Sequence, residues 1–565
     1  MKKIIIVVFC ALLISSVLAS TSPAMDFSVH GYFRNRGVVN YDLDLHRKKT
    51  NMPDSNDRFG LIQYNQMRLR LEPVFKLNNY LSMQGQLDIL DNVLFGSKDT
   101  EQLHIIAPIV GDQTLPPGAG SFYMSGPSTV GTNGAINVRR IWADILTPIG
   151  KFRIGRQPSN WGLGIFQNDG NDLQGDFGDT ADRLMYIMQY DIAGTGAMTG
   201  GLFWDIAYDA QFDPRQDLFN TTLAPNSDDC QQYGAILLFE RPEFALGMTG
   251  GLRRRNGRTG NTTMWVTDAN GDEIRAGIDG KTLMYFADLY ARYTYENYEF
   301  KFEGVYLGGK VTTGLALDSI PFAGLSGGVD GIIQLPPEQR MRTFMAAFEA
   351  TGKYKTGDEW KFQTGYAEGD DTPFSNNITM FGFRPDYQIA LIMFNLPLGS
   401  SPALYGAKNY GPAGSQYLAG KKPITSNYIN NALYFSLGYK HKFDLAGTEW
   451  AQWAKVGTKI TTAWAPKKNT NINLADLIPQ QGRWPSISER STSMWQRWYG
   501  LEVDLLAEAM LFENLYTALE GGILLPGRAY DIDVNLVDPG SIIDPIPRDK
   551  AELAWMIRLT ASILF

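Results

Sequence analysis

Charged side chains recur on alternate residues of this chain: Arg34 and Arg36, Arg68 and Arg70, then Glu502, Asp504 and, further along in the same register, Glu508. Asp88, Arg140, Asp144, Asp288, Arg292, Glu303 and Arg558 likewise fall on the polar positions of segments whose other positions are apolar. A spacing of two places such groups on one face of a β-strand. Mixed charges in this pattern suit a wall beside water, where opposed signs set up a transverse field and filter solutes by charge. The early segments are richer in Arg and the late ones in Asp and Glu, which predicts a basic sector facing an acidic one. The same groups can also pair with each other and simply stiffen the wall.

The segments that carry them are strands. Leu81, Met83, Gly85, Leu87 and Ile89 alternate with Ser82, Gln84, Gln86 and Asp88, and Leu283 to Tyr293 alternates with Asp288, Tyr290 and Arg292. Tyr499, Leu501, Val503, Leu505 and Ala507 oppose Glu502, Asp504 and Glu508. The chain ends the same way: Trp555, Ile557, Leu559, Ala561, Ile563 and Phe565 share one face, and Arg558, Thr560 and Ser562 the other. A strand that is apolar on one face and polar on the other up to its last aromatic residue suits a barrel closed by its final strand. This ending resembles the C-terminal signal of Gram-negative outer-membrane barrels. The resemblance implies that Phe565, Ile563 and Leu559 are read by the barrel-assembly machinery.

Connections sharpen the fold. Short turns are predicted near 77–79, 148–150, 195–197, 242, 296–298, 355–358, 444–448 and 512–514. Between them lie long stretches near 42–58, 93–135, 158–180, 210–229, 255–281, 313–338, 371–430, 466–494 and 526–549. Short and long alternate strictly, so all the long loops emerge at one end. The reading is an all-β, transmembrane, antiparallel up-and-down barrel of about 18 strands, with 16 next, short periplasmic turns and long external loops. A barrel of that width leaves an aqueous lumen.

Lys2 and Lys3 precede an apolar run from Ile4 to Leu18, shorter than the ~20 residues a spanning helix needs. With Ala19 at the end, residues 1–19 read as a cleaved signal peptide and 20–565 as one barrel domain. The formal charge is −8, and no basic block suits nucleic acid. Cys230 is the only cysteine after residue 19, so no internal disulfide is expected. His30, His46, His104 and His441 lie in separate segments and assemble no acid–base constellation, so no enzyme is expected.

Two loops stand out. The 371–430 connection is too long for a bare link and carries an apolar stretch, Tyr387 to Phe394, after Arg384. Folding into the mouth as a constriction or plug would bury it, with Arg384, Tyr387 and Phe394 as constriction residues; packing on the rim or on a neighbouring subunit would do so equally. The stretch 153–183 is rich in Asp, and Asp169, Asp172 and Asp176 are weak candidates for Ca²⁺, although their spacing matches no EF-hand. Otherwise no cofactor is expected.

Arg153 to Gln157, followed by the Gly/Asp-rich loop and Arg183, resembles the corresponding strand and loop of porin-like, alginate-export-type barrels. That resemblance implies a passive channel in which Arg34, Arg68, Arg70 and Arg156 line an anion path. The acidic late strands oppose a wholly cationic path, so the polysaccharide substrate is not carried over. The expected function is an outer-membrane porin-like channel for passive diffusion of small hydrophilic or charged solutes. The alternative is a structural or adhesive barrel acting through its external loops. Expected partners are outer-membrane lipid, the assembly machinery and small polar solutes, with a homo-oligomer left open.

Overall fold

The computed structural model describes residues 25–43, 45, 61–94, 136–208, 230–255, 258–267, 273–279, 281–312, 338–369, 377–379, 381–396, 398, 428–445, 448, 450–467, 496–531 and 550–565. The candidate signal peptide, nearly all of the 93–135 loop and much of 371–430 lie outside these residues.

Alternation of apolar and polar residues produces strands because each face then meets its own solvent. In chain order they are β1 Asp26–Tyr41, β2 Leu61–Lys76, β3 Leu81–Leu94, β4 Ile136–Thr147, β5 Gly150–Pro158, β6 Thr180–Ile192 and β7 Gly196–Tyr208. There follow β8 Cys230–Arg241, β9 Phe244–Arg255, β10 Arg258–Thr267, β11 Glu273–Asp279, β12 Lys281–Tyr295, β13 Tyr298–Thr312 and β14 Glu338–Lys353. The last are β15 Glu359–Ala367, β16 Asn377–Ile378, β17 Ala432–Asp444, β18 Ala451–Trp464, β19 Trp498–Leu511, β20 Leu515–Pro526 and β21 Ala554–Leu564. Eighteen of these form one closed antiparallel barrel, each pairing with its neighbours in chain order. β10 and β11 make a separate hairpin on the β9–β12 connection, and β16 adds a short parallel pairing to β14.

The ring closes where β1 meets β21, from Tyr32 opposite Leu564 to Tyr41 opposite Trp555. Gly31 and Phe565 complete the seam by exchanging backbone hydrogen bonds of 2.9 and 3.1 Å. Every short connection lies on the side of both termini and every long one on the other, as the loop rhythm predicts.

The outer face is an apolar belt. Leu559, Ile563 and Phe565 are exposed on it, as are Leu289, Leu437, Val456, Ile523 and Tyr293 from other strands. Water would penalise so many exposed large apolar side chains, whereas lipid accommodates them. Arg558, Thr560 and Ser562, one residue out of phase, are buried on the inner face. Tyr499 departs from the expected outward register. Gly500 sits at φ +121° beside an irregularity in the β18–β19 pairing, and Tyr499 turns inward against Phe394 and Tyr530. Leu559→Arg is expected to destabilise the barrel by about 2–4 kcal/mol, the cost of a cation facing mid-depth lipid. Guanidinium unfolding in lipid vesicles checks this; unchanged stability would contradict a lipid-facing Leu559.

Candidate functional site

Two external connections fold back into the lumen, and the charged wall residues hold them there. The first is 159–179, between β5 and β6. Arg34 donates to the Leu173 carbonyl at 2.8 Å, and Arg68 to that of Gly175 at 2.8 Å. Arg139 reaches the carbonyl oxygen of Phe177, and Arg140 those of Asp169 and Asp179. The Asp176 carboxylate lies between Arg34 at 2.6 Å and Arg36 at 2.5 Å, with Arg68 at 3.4 Å. Arg70 makes a two-point pair with Asp88 at 2.7 and 2.8 Å, and Arg68 pairs with Asp91 at 2.6 Å. Five guanidinium groups from β1, β2 and β4 thus contact three carboxylates, Arg139 reaching Asp88 at 3.2 Å, while Arg140 is met by Asn171 and by loop carbonyl dipoles.

Glycine permits this approach. Gly178 has φ +54°, and a Cβ there would lie 2.3 Å from the Asp169 carbonyl oxygen and 3.0 Å from both Arg139 and Arg140. No other residue fits that position without moving the loop off the wall.

The opposite wall works with reversed polarity. β13 lies nine places from β2 around the eighteen-strand ring, hence diametrically across. Its Glu303 accepts hydrogen bonds from the backbone amides of Leu163, Gly164 and Ile165. Asp288 lies fully buried beside Glu303 and Trp161. The second inward segment, around 381–398, is seated on β19: Glu502 accepts from Leu391 at 2.8 Å, Ile392 at 2.7 Å and Met393 at 2.6 Å. Asp504 accepts from Leu391 as well. Ile389, Ile392, Met393 and Leu398 are buried, so the apolar stretch is sequestered inside the barrel.

The two segments also grip each other. Arg384 pairs with Asp179, and Asp386 accepts from the amides of Asp176 at 2.8 Å and Gly178 at 2.6 Å. Tyr387 donates to Glu349 at 3.0 Å, and Phe394 packs edge-on against Tyr499. All three expected constriction residues therefore sit in the lumen.

Below these segments the wall side chains are accessible to solvent. Along β18, Lys459 keeps 33% of its side-chain surface exposed, whereas Thr461, one inward position further out, keeps none. Arg292 with Glu240, Asp144 with Arg153, and Glu508 with Lys440 occupy the same half-hydrated periplasmic level. Arg558 pairs with Glu520 at 2.6 Å. The barrel is thus a charged periplasmic vestibule beneath a filled external half.

Several expectations need correction. Arg156 is outside the lumen: it stands three residues from inward Arg153, so parity turns it outward, where it pairs with Asp182 at 2.7 Å. Asp176 serves guanidinium groups, Asp169 bonds Asn171 at 2.8 Å, and among the described residues no group of three metal-ligating side chains converges. Sequence reasoning missed Arg139 and Asp91. Arg139 is the extra residue of a bulge in which Gln86 faces Arg140 and Leu87 faces Val138, so both arginines point inward. Asp91 lies in an irregularity of β3 where Leu90 and Asn92 have φ of 55° and 53°. The inward course of 159–179 was missed too; its signal was the excess of inward Arg over nearby inward carboxylates.

Asp176 defines the pH behaviour of the clamp. Burial alone would raise its carboxyl, but Arg36, Arg34 and Arg68 outweigh burial and hold it well below the ordinary carboxylate range. A depressed folded value means that the stabilisation is complete above the unfolded value of about 4 and is lost only as pH falls through the lower folded value. Asp176→Asn is expected to weaken the clamp by about 3–5 kcal/mol, because it leaves buried guanidinium groups without their anion. Hydrogen exchange at the amides of 176–178 should then quicken at every pH, while in the native chain protection persists from pH 7 to 5. Equal protection in both proteins would show that Asp176 does not hold the loop.

No protein-family model matches the chain, and no curated protein does. Among solved structures, it is similar to OccK11 (OpdR) of Pseudomonas aeruginosa, at 10% identity over 96% of each chain with a TM-score of 0.41. A BenF-like porin from Pseudomonas fluorescens Pf-5 is 10% identical, covering 96% of this chain and 98% of its own, at 0.40. An anion-selective porin from Comamonas acidovorans is 10% identical, covering 96% and 100%, at 0.34. The assignment of a closed eighteen-stranded antiparallel barrel rests on the strand pairing of this chain itself.

Proposed function

We propose that the protein is an outer-membrane channel for passive diffusion of small hydrophilic or charged solutes, with anions favoured at the constriction. The observation that carries this reading is the arginine wall of β1, β2 and β4 set across the lumen from Glu303, with the 159–179 segment suspended between them and the second inward segment gripping it. A water-filled vestibule of mixed charge leads to that level from the periplasmic side. The surplus of guanidinium groups gives the constriction a positive bias, which draws anions and excludes cations. Such transport needs neither catalysis nor a bound cofactor. In this reading residues 1–19 direct export and are cleaved, and the exposed ridge of Leu559, Ile563 and Phe565 is presented to the assembly machinery.

One observation favours a second reading. Wall groups at the level of the inward segments are almost wholly covered, as expected of a structural or adhesive barrel that acts through its external loops. Conductance separates the two. Purified protein in planar bilayers should show small discrete steps with an anion-favouring reversal potential. Arg68→Glu with Arg70→Glu should shift that potential toward cations, and deleting 388–394 should raise conductance several-fold. Absence of conductance from the folded barrel and from the deletion variant would overturn the channel reading.

A further inference from the structure

Lipid supplies no hydrogen bonds at mid-depth, so a polar side chain on the outer face of a barrel needs a partner from protein. The outward hydroxyls of Thr364, Thr458, Thr462 and Thr517 find one within the chain. Each donates to a backbone carbonyl of a neighbouring strand, at 2.8, 3.1, 2.8 and 3.4 Å respectively. β1 and β2 are different. Along β2, Gln63, Asn65 and Met67 share the outward register, opposite Val39, Gly37 and Asn35 of β1. Among the described residues, none of the three side-chain amides has a hydrogen-bond partner, and the Asn65 Oδ1 atom is covered without one.

Depth makes this costly. Phe565, hydrogen-bonded to Gly31, marks one edge of the belt at β1, and Tyr41 stacked on Trp555 marks the other. Asn35 and Gly37 are the two central outward positions between those edges, so Asn35 and Asn65 stand near the middle of the belt. Gln63 lies one row nearer the Tyr41–Trp555 edge. The surface around the amides is low. A Cβ at Gly37 would meet nothing within 4 Å, and the row of Asn35 continues through Ala561, Thr517 and Ala509 on β21, β20 and β19. Exposed Leu559 and Ile563 flank that row. No described outward position of β1, β2, β20 or β21 is charged.

We propose that this face, centred on Asn35, Asn65 and Gly37, is the contact surface for a second copy of the chain, with amides paired across it. A side-chain amide both donates and accepts. Identical amides therefore complement each other about a two-fold axis along the membrane normal, which keeps their depth. The small residues let the second sheet come close enough for those bonds, as they do where proteins pack within lipid. A head-to-tail ring would set the patch against another face, and no other described outward position at mid-depth carries an amide. Like charge does not oppose the contact, since this face has none. The inference rests on the outer-membrane placement proposed above but not on conduction.

Native mass spectrometry and cross-linking of the full chain test it. The native chain should be a dimer, and combined Asn35→Leu and Asn65→Leu should weaken that dimer by about tenfold or more. In a Cys230→Ser background, Asn35→Cys should cross-link between copies through a short bis-maleimide. Leu289→Cys, exposed on β12 diametrically across the ring, should not. Heat-modifiable gel migration and vesicle insertion verify folding and placement, and conductance per barrel of the double variant should be unchanged, so the readings fail separately. A monomeric native chain, an unchanged dimer in the folded double variant, or equal cross-linking from positions 35 and 289 would overturn the proposal. So would cross-linking of position 35 in native membranes to a different protein alone.

Discussion

Everything inside this barrel depends on the pairing of side-chain charge with backbone dipoles. Two inward segments bring unpaired amides and carbonyls into a lumen where little water remains to satisfy them. The wall supplies guanidinium groups to the carbonyls and carboxylates to the amides. Each wall would be costly alone, since buried charge without a partner is strongly unfavourable. Together they use the loop as a bridge whose two polar edges face opposite signs. Sector-wise segregation of charge, basic in the early strands and acidic in the later ones, is the sequence-level form of that arrangement.

The same physics divides the lumen by height. Near the periplasmic turns, Lys440, Lys455, Lys459 and Arg292 keep part of their surface in water and pair loosely with carboxylates. Further out, solvent gives way to backbone, and the pairs become short and buried. In the channel proposed above, a solute entering from the vestibule would meet increasing field strength as hydration falls, the condition under which charge selection is steepest. Apolar packing of Ile389, Ile392 and Met393 makes the second segment more than a polar strap, because withdrawing it would expose a contiguous apolar surface.

Much of the fold was legible in the sequence because a barrel obeys a strict period. Parity alone places Arg34, Arg68, Asp88, Glu303, Glu502 and Arg558 inside and Leu559 and Ile563 outside. Strand number followed from the alternation of turn lengths, which needs no side-chain detail. Legibility stopped where the period breaks. The bulge at Arg139 and the irregularity at Asp91 each add inward residues that alternation assigns elsewhere, and Gly500 reverses Tyr499. Arg156 shows the converse: parity with outward Ile154 and Ile141 turns it to the outer face, whatever the resemblance of its strand implies. The inward course of 159–179 was invisible because loop position depends on long-range charge complementarity, which no local spacing records.

The central claim is that, among the described residues, the external half of the lumen is filled by loop segments held by the charged wall, above an open vestibule. It is tested most directly by thiol accessibility down a single strand. In a Cys230→Ser background, cysteines introduced in place of Lys455, Lys459 and Thr461 on β18 would be treated with a small charged thiol reagent in lipid vesicles. The account predicts fast labelling at 455 and 459 and labelling slower by orders of magnitude at 461, because Thr461 is fully covered where Lys459 is not. Equal labelling rates at all three positions would show an open water path through the level of the clamp, and would contradict it.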